Sequence, residues 1–118
     1  MTDNAIIERF FNLLNRRALP EMDAVLTAEA RLDFPKTRPL IGKDAILKFL
    51  RLLFRQYPQL NFTVEGIIRE GSKAAVHWTN RGLNRKGEPY ANEGVTLIDL
   101  DDSRIRHISD FFKNTDKF

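Results

Sequence analysis

The sequence predicts an α+β fold in which a cone-shaped, curved antiparallel sheet wraps around helices. Two patterns predict it. Apolar residues recur at helical spacing in much of the first half of the chain, and strand-like alternation dominates after Pro58. Short polar turns separate four successive strand-like segments there, so the predicted order is α-α-β-α-β-β-β-β. The length of 118 residues is typical of one domain, and we expect a single domain over residues 1–118.

The predicted helices are located by their caps, prolines and apolar faces. Thr2 or Asp3 can cap the first helix, which ends just before Pro20. Pro20 suits the first turn of a short second helix over residues 21–26. A third helix is predicted over residues 44–56. Its polar residues form one narrow stripe, so we expect it to be buried on most of its circumference.

Five segments alternate or carry strand-forming residues. The predicted strands cover residues 30–34, 60–69, 73–83, 90–100 and 104–112. The last four follow one another through short turns, which predicts an antiparallel meander. We expect a bulge at Gly66 and a bend at Gly94 to curve this sheet around the third helix and leave a cone open at one end.

Composition excludes several kinds of chemistry. The chain has no cysteine, so it holds no disulfide, thiolate metal site or thiol nucleophile. Its two histidines are too few for a zinc site unless carboxylates complete it, and we expect neither a metal nor a cofactor. Asp99, Asp101 and Asp102 cluster in a predicted turn, which we interpret as solvated.

The sequence carries no signal for a membrane or a nucleic acid. No apolar run is long enough to span a bilayer, and the first residues lack a signal-peptide pattern, so we expect a cytoplasmic protein. Nineteen Lys and Arg face sixteen Asp and Glu, a formal charge of +3. Because the basic residues are interspersed with acids, we expect no nucleic-acid partner.

Alternation along the strands predicts which side chains share a face. On the strand over residues 73–83, Trp78 belongs to the set that we expect to face away from the cavity, where it is either a dimer contact or an ordinary packing residue. Glu93 also faces away, and His107 is expected at a subunit surface or in solvent. The predicted polar wall of the cavity comprises His77, Thr79, Arg81, Asn92, Thr96 and Asp110.

Asp110 and His77 form the candidate catalytic pair. Phe34, Ile108 and Phe112, with third-helix side chains such as Phe49, would enclose the carboxylate and raise its pKa toward neutrality. His77 could hydrogen-bond this carboxylate or share a substrate oxygen.

Structural roles remain open as alternatives. Asp110 could instead be a satisfied acid paired with Arg81 or His77. Arg81 could hold an anionic group of the substrate or be an exposed residue at the strand end. Thr79, Asn92 and Thr96 would supply neutral hydrogen bonds.

This layout, with GKDAILKF at 42–49 and RIRHISDFF at 104–112, resembles the nuclear transport factor 2-like superfamily. The SnoaL-like and ketosteroid-isomerase-like enzymes are its nearest branch, and the resemblance covers nearly the whole chain. It implies a cone-shaped α+β barrel that binds a small apolar molecule in the cone. It also implies a homodimer formed through the sheet.

The resemblance to ketosteroid isomerases implies that their mechanism is disfavoured here. Their general base is an Asp before a Pro, where this chain has Phe34, and Asp33 lies one place earlier. Their oxyanion-hole Tyr falls near Phe10, and its partner Asp falls near Val95. Neither side chain can donate the required hydrogen bond.

The final strand also resembles that of limonene epoxide hydrolases. Their first Asp in this strand matches Asp110, and their Arg and paired Asp match His77 and Thr79. Their pocket Tyr and Asn match Leu32 and Phe34. SnoaL-type aldol cyclases use a final-strand Asp with a His nearby, so Asp110 with His77 is closer to that pattern.

Two functional hypotheses follow. The first is a small-molecule enzyme, an isomerase, cyclase or hydrolase, that uses carboxylate-led acid/base catalysis on an apolar cyclic or polyketide-like substrate. Its predicted substrate contacts include Leu32, Phe10 and Phe49 besides the polar wall. The second is a non-catalytic module of the same fold that binds a small ligand or another protein.

Overall fold

The computed structural model describes residues 4–115, which form three helices and six strands. The helices are α1 (Asn4–Arg16), α2 (Leu19–Val25) and α3 (Lys43–Gln56). The strands are β1 (Leu26–Asp33), β2 (Leu40–Ile41), β3 (Gln59–Glu70), β4 (Lys73–Leu83), β5 (Pro89–Asp101) and β6 (Arg104–Phe112). The predicted caps of α1, Thr2 and Asp3, lie outside the described residues.

The six strands of the described region form one curved sheet in the order β2-β1-β6-β5-β4-β3. The predicted meander is confirmed, because β3, β4, β5 and β6 pair antiparallel in succession. Strand β1 instead pairs parallel with β6, with Leu32 opposite Ile108. The α+β prediction with a curved sheet is therefore confirmed, but the sheet is mixed rather than wholly antiparallel.

Strand β1 is longer than predicted, and the short strand β2 was not predicted. β1 begins at Leu26 because α2 ends at Val25 with no intervening loop. Leu40 and Ile41 form β2 by pairing with Leu32 and Arg31. A two-residue edge strand has too little periodicity to be recognised in a sequence.

Two glycines have structural roles in the sheet, although the bend expected at Gly94 stays a prediction. The pairing of β3 with β4 shifts register between Val64 and Gly66, which confirms the predicted bulge. At Gly94, an added Cβ would lie 2.3 Å from the carbonyl oxygen of Phe111 and 2.7 Å from Cζ2 of Trp78. Glycine is therefore needed at position 94 for neighbouring groups to approach the backbone of β5 closely.

The helices cover the concave face of the sheet unequally. Helix α1 buries Ile7, Phe10 and Phe11 in the core. In α3 only Ile46 and Leu50 are fully buried, and the side chain of another residue, Leu52, is 50% exposed. The predicted polar stripe of α3 is exposed, and most of its other apolar side chains are partly buried against the core. The prediction that α3 is buried on most of its circumference is therefore confirmed only in part, because Leu52 is exposed and α3 packs on β1, β2 and α2.

A cationic side chain fastens α1 to the end of α3. Arg17 adopts a positive φ of 57° just after α1. Its guanidinium donates hydrogen bonds to the carbonyl oxygens of Phe54, at 2.8 Å, and Tyr57, at 2.5 Å. These are carbonyl groups that the end of a helix leaves without helical partners.

Between residues 4 and 115, no helix is long and apolar enough to cross a membrane.

Candidate active site

A pocket lies between the concave face of the sheet and helices α1 and α3. Its lining is mostly apolar and includes residues of every helix and strand except the two short elements α2 and β2. The lining residues are Phe10, Phe11, Leu14, Leu32, Phe34, Ile46, Phe49, Leu50, Leu53, Leu60, Phe62, Trp78, Asn80, Tyr90, Thr96, Ile108, Asp110 and Phe112. Its cavity volume is about 50 Å³. A water needs roughly 10–15 Å³ on this measure, so the pocket has room for only a few waters unless its side chains move.

A continuous series of aromatic rings forms one side of this pocket. Phe34 lies 4.8 Å from Phe49 and 5.3 Å from Phe112, measured between ring centroids. Trp78 lies 6.1 Å from Phe112 and 5.2 Å from Phe62. Tilted and edge-on ring contacts at these distances are favourable. The same surfaces can pack against a flat apolar ligand.

Asp110 is the one carboxylate that lines the pocket in the described part of the chain. Part of the residue also borders an outer groove beside Ser109, so its exposure as a whole is intermediate. Its carboxyl group nevertheless lies beside Thr96, which is only 2% exposed. Desolvation there raises the pKa of Asp110 to about 6, against the lowering effect of the hydrogen bond from Thr96.

A chain of two hydrogen bonds holds this carboxyl group in place. Trp78 Nε1 donates to Thr96 Oγ1 at 2.7 Å, and Thr96 Oγ1 donates to Asp110 Oδ1 at 2.6 Å. The indole can only donate, so the hydroxyl proton of Thr96 is directed toward Asp110. Asp110 Oδ2 forms no hydrogen bond within residues 4–115. It is therefore the oxygen that can exchange a proton with a ligand.

The predicted placement of Trp78 is wrong. Trp78 is 3% exposed and lines the pocket, as does Asn80. Ala74 and Val76 share this face of β4 and are buried in the core. The outward set of residues begins with Ala75 and His77. Alternation identified the two sets correctly but not which of them faces the helices, because each contains both polar and apolar residues.

The predicted placement of His77, Thr79 and Arg81 is wrong for the same reason. His77 Nε2 lies 2.6 Å from Glu93 Oε2 on the outer face, and Thr79 Oγ1 donates to Glu65 Oε2 at 2.8 Å. Arg81 is exposed.

The structure consequently does not assemble the predicted Asp110–His77 pair. Neither His77 nor Arg81 serves as the structural partner of Asp110, whose hydrogen-bond partner is Thr96. The resemblance-based matches of His77 and Thr79 to hydrolase pocket residues fail as well, because neither side chain reaches the pocket.

Asn92 lies near the pocket but does not line it. Its Nδ2 donates to Tyr90 Oη at 2.9 Å and to the carbonyl oxygen of Asn114 at 2.8 Å. Its Oδ1 accepts the backbone N–H of Asn114 at 3.1 Å. Asn92 thus ties the segment after β6 to β5, a structural role in place of the predicted substrate contact.

The remaining predicted contacts do line the pocket. These residues are Phe10, Leu32, Phe34, Phe49, Thr96, Ile108, Asp110 and Phe112. Because β1 pairs with β6, the residues Leu32 and Phe34 are brought beside the strand that carries Asp110.

Sequence reasoning missed Asn80, a pocket residue that is 6% exposed. Its Oδ1 has no hydrogen-bond partner among the described residues. A buried acceptor left unpaired costs about 1–3 kcal/mol. The apolar residues Ala74, Val76 and Trp78 at alternate positions on β4 were the available sign that Asn80 faces inward.

The other polar clusters lie outside the pocket. Residues 4–115 contain no group of three or more His, Asp or Glu side chains that could hold a metal ion. Asp99 accepts hydrogen bonds from Arg106 and Ser72. His107 Nε2 lies 2.7 Å from Asp33 Oδ2. This hydrogen bond is the largest of the effects that lower the pKa of Asp33.

The fold is similar to several solved structures. A Jannaschia sp. CCS1 protein with the provisional name SnoaL-like polyketide cyclase has a TM-score of 0.85 and 20% identity, covering 94% of this chain and 85% of its own. An NTF2-like protein of unknown function from Burkholderia pseudomallei K96243 has a TM-score of 0.88 and 20% identity, covering 96% and 92%. TerC, co-crystallised with polyporic acid, has a TM-score of 0.86 and 14% identity, covering 94% and 91%. Identities this low show a shared fold alone.

The sequence comparisons identify the family. No curated protein matches the sequence significantly. The profile of the SnoaL-like domain family matches residues 7–108, which is most of the chain. The resemblance seen in residues 42–49 and 104–112 is thereby confirmed at the level of the family, and the chain belongs to the SnoaL-like domain family.

Proposed function

We propose that this SnoaL-like chain is a small-molecule enzyme in which Asp110 transfers a proton to or from an apolar cyclic or polyketide-like substrate. The observation that carries the proposal is a carboxyl group with a pKa raised to about 6 in a pocket lined by aromatic rings. A pKa near neutrality suits a group that must both accept and release a proton. The reaction would be an isomerisation, a cyclisation or a hydrolysis.

The geometry suits Asp110 to act first as a base. At pH 7 a group with a pKa of about 6 is mostly ionised. Thr96 holds Oδ1, and Oδ2 remains available for the proton of a substrate. In an isomerisation, Oδ2 would take a proton from carbon beside a carbonyl group and return it to another carbon. The apolar walls limit the access of water, which would otherwise solvate the carboxylate and weaken it as a base.

Proton exchange provides a test that needs no knowledge of the natural substrate. The probe is 2-tetralone, a two-ring ketone, in deuterated water, with exchange of its α-protons followed by NMR. We expect the wild-type protein to accelerate exchange and Asp110→Asn to lose about 100-fold or more of that acceleration. Asp101→Asn, at the exposed end of β5, is the matched control and should exchange like the wild type. Equal exchange by wild type and Asp110→Asn would refute the catalytic role.

A non-catalytic ligand-binding or protein-interaction module is the second candidate. It is favoured by the absence of a partner base or acid beside Asp110, since His77 lies on the outer face of the described sheet. In that case Asp110 would only anchor a hydrogen bond of the ligand. If 2-tetralone binds but its α-protons exchange no faster with the protein than without it, the result would support this second candidate.

We also expect the partner of the chain to be a second copy that binds through the outer face of the sheet. Leu97 is 46% and Phe111 is 56% exposed on neighbouring strands, and Val95 is paired with Phe111. Together these side chains form an outward apolar patch, which favours association. A second copy would bury the patch on both chains at once.

A further inference from the structure

Asn80 presents a polar group that the protein itself leaves unsatisfied. The residue lies in the middle of the sheet, paired with Phe62 on one side and Asn92 on the other. It lines the pocket and is 6% exposed, and its Oδ1 has no hydrogen-bond donor within residues 4–115. Because buried polar atoms are nearly always paired, an acceptor that the protein leaves unpaired in a pocket takes its donor from a molecule in the pocket, either an ordered water or a ligand that displaces it.

We propose that Asn80 is a specificity-determining residue that accepts a hydrogen bond from a hydroxyl or amino group of the ligand. This group lies at the end of the ligand remote from Asp110. The inference rests on the proposed function in one respect: Asp110 marks the reacting end.

The register of the sheet sets the length of such a ligand. Asn80 pairs with Asn92 and Asp110 pairs with Thr96, and these partners are four residues apart on β5. Asn80 and Asp110 are also two strand spacings apart. With about 4.8 Å between strands and about 3.3 Å per residue, their Cα atoms are separated by about 16 Å along the sheet. Both side chains extend into the concave face and shorten this gap, but a single ring would not bridge it.

The surface between the two polar ends is aromatic. Trp78 and Phe112 pair with Gly94 from opposite sides, and all three lie between Asn80 and Asp110 in register. A Cβ added at Gly94 would lie 2.7 Å from both Trp78 Cζ2 and Phe112 Cβ, so these side chains meet above the glycine. A ligand that bridges the two polar ends is therefore an elongated molecule of two or more rings, apolar in the middle, with a hydrogen-bond donor far from the reacting carbon. Because the cavity holds only about 50 Å³, the aromatic side chains must move to admit it.

The single tryptophan of the chain allows a direct binding test, because Trp78 lines the pocket. Quenching of its fluorescence is measured with 4-phenylphenol, 4-methoxybiphenyl and biphenyl. We expect the wild type to bind 4-phenylphenol about tenfold more tightly than the other two probes, which corresponds to about 1.4 kcal/mol. Asn80→Leu should bind all three equally, whereas Asp110→Asn should keep the preference.

Several outcomes would overturn the proposal. Retention of the preference in Asn80→Leu, or its loss in Asp110→Asn, would place the hydroxyl at Asp110. Tighter binding of the methyl ether by the wild type would mean that Asn80 presents its amino group. Failure of every probe to quench would contradict the ligand length.

The unliganded variants supply an independent check. If Oδ1 lacks a partner, Asn80→Leu should unfold in urea at the same concentration as the wild type or higher, and Asn80→Ala provides the comparison if Leu prevents folding. A large loss of stability in both would show that the amide oxygen has a partner within the protein. Because exchange with 2-tetralone depends on Asp110, a failure there leaves the binding preference of Asn80 separately measurable.

Discussion

At the scale of single residues, Asp110 has opposite effects on folding and on chemistry. Its burial among aromatic side chains penalises the ionised form and raises its pKa to about 6 from an ordinary value of 3.8. The same penalty makes the group a proton acceptor that works near neutral pH. Thr96 limits the penalty with one hydrogen bond, to Oδ1.

This residue should make the stability of the protein depend on pH in a defined direction. The folded chain holds the proton of Asp110 more tightly than the unfolded chain, so the free energy of unfolding falls as pH rises from about 4 to about 6. At pH 7 the loss is about 2–3 kcal/mol, from about 1.4 kcal/mol per pH unit. Asp110→Asn should therefore be more stable than wild type at pH 7, by about 1–3 kcal/mol, with little difference at pH 4.

Urea denaturation at both pH values measures this difference. Asp101→Asn is the control, because that residue lies at the exposed end of β5. An identical effect of Asp110→Asn at pH 4 and pH 7 would contradict a raised pKa.

At the scale of elements, β4 shows that the local sequence pattern predicts the bounds of a strand but not which of its faces is buried. Its bounds, Lys73–Leu83, and those of β6, Arg104–Phe112, agree with the sequence prediction. The inward face of β4 was nevertheless predicted incorrectly, since the outward Thr79 and the inward Asn80 are both polar. Periodicity separates two faces, but only burial in the hydrophobic core selects one of them.

Gly94 offers the sharpest test of an element. Gly94→Ala should destabilise the protein by about 1–3 kcal/mol, because its Cβ would meet the backbone oxygen of Phe111 at 2.3 Å, which cannot easily move. The fluorescence of Trp78 should also change. Gly66→Ala is the matched control on β3, where an added Cβ meets nothing within 4 Å. Equal stability of the two variants in urea would contradict the packing described for β5.

At the scale of the whole molecule, the sheet separates two kinds of surface. Its concave face encloses the pocket, and its outer face carries exposed Leu97 and Phe111 together with the Glu93 carboxylate. The pKa of Glu93 is lowered by hydrogen bonds from Lys113 and His77. An apolar patch beside polar side chains suits an interface between copies.

The proposed dimer should depend on that patch. We expect light scattering to give a mass above the 13.7 kDa of one chain and Phe111→Lys to shift it toward the monomer, because a charge there would have to be buried. Lys86→Ala, in an exposed turn, should leave the mass unchanged. A mass near 13.7 kDa for the wild type at every concentration would refute the dimer.

The sequence by itself determined the order of the helices and long strands, the family and the position of Asp110 among apolar side chains. These features depend on local periodicity and on short motifs, and both are encoded in residues that are close together in the sequence. Only the tertiary structure decided that β1 pairs with β6, that Trp78 rather than His77 faces the pocket and that Asn80 lacks a partner. Each of these depends on contacts between residues far apart in the chain, where the competing arrangements satisfy local propensity equally well.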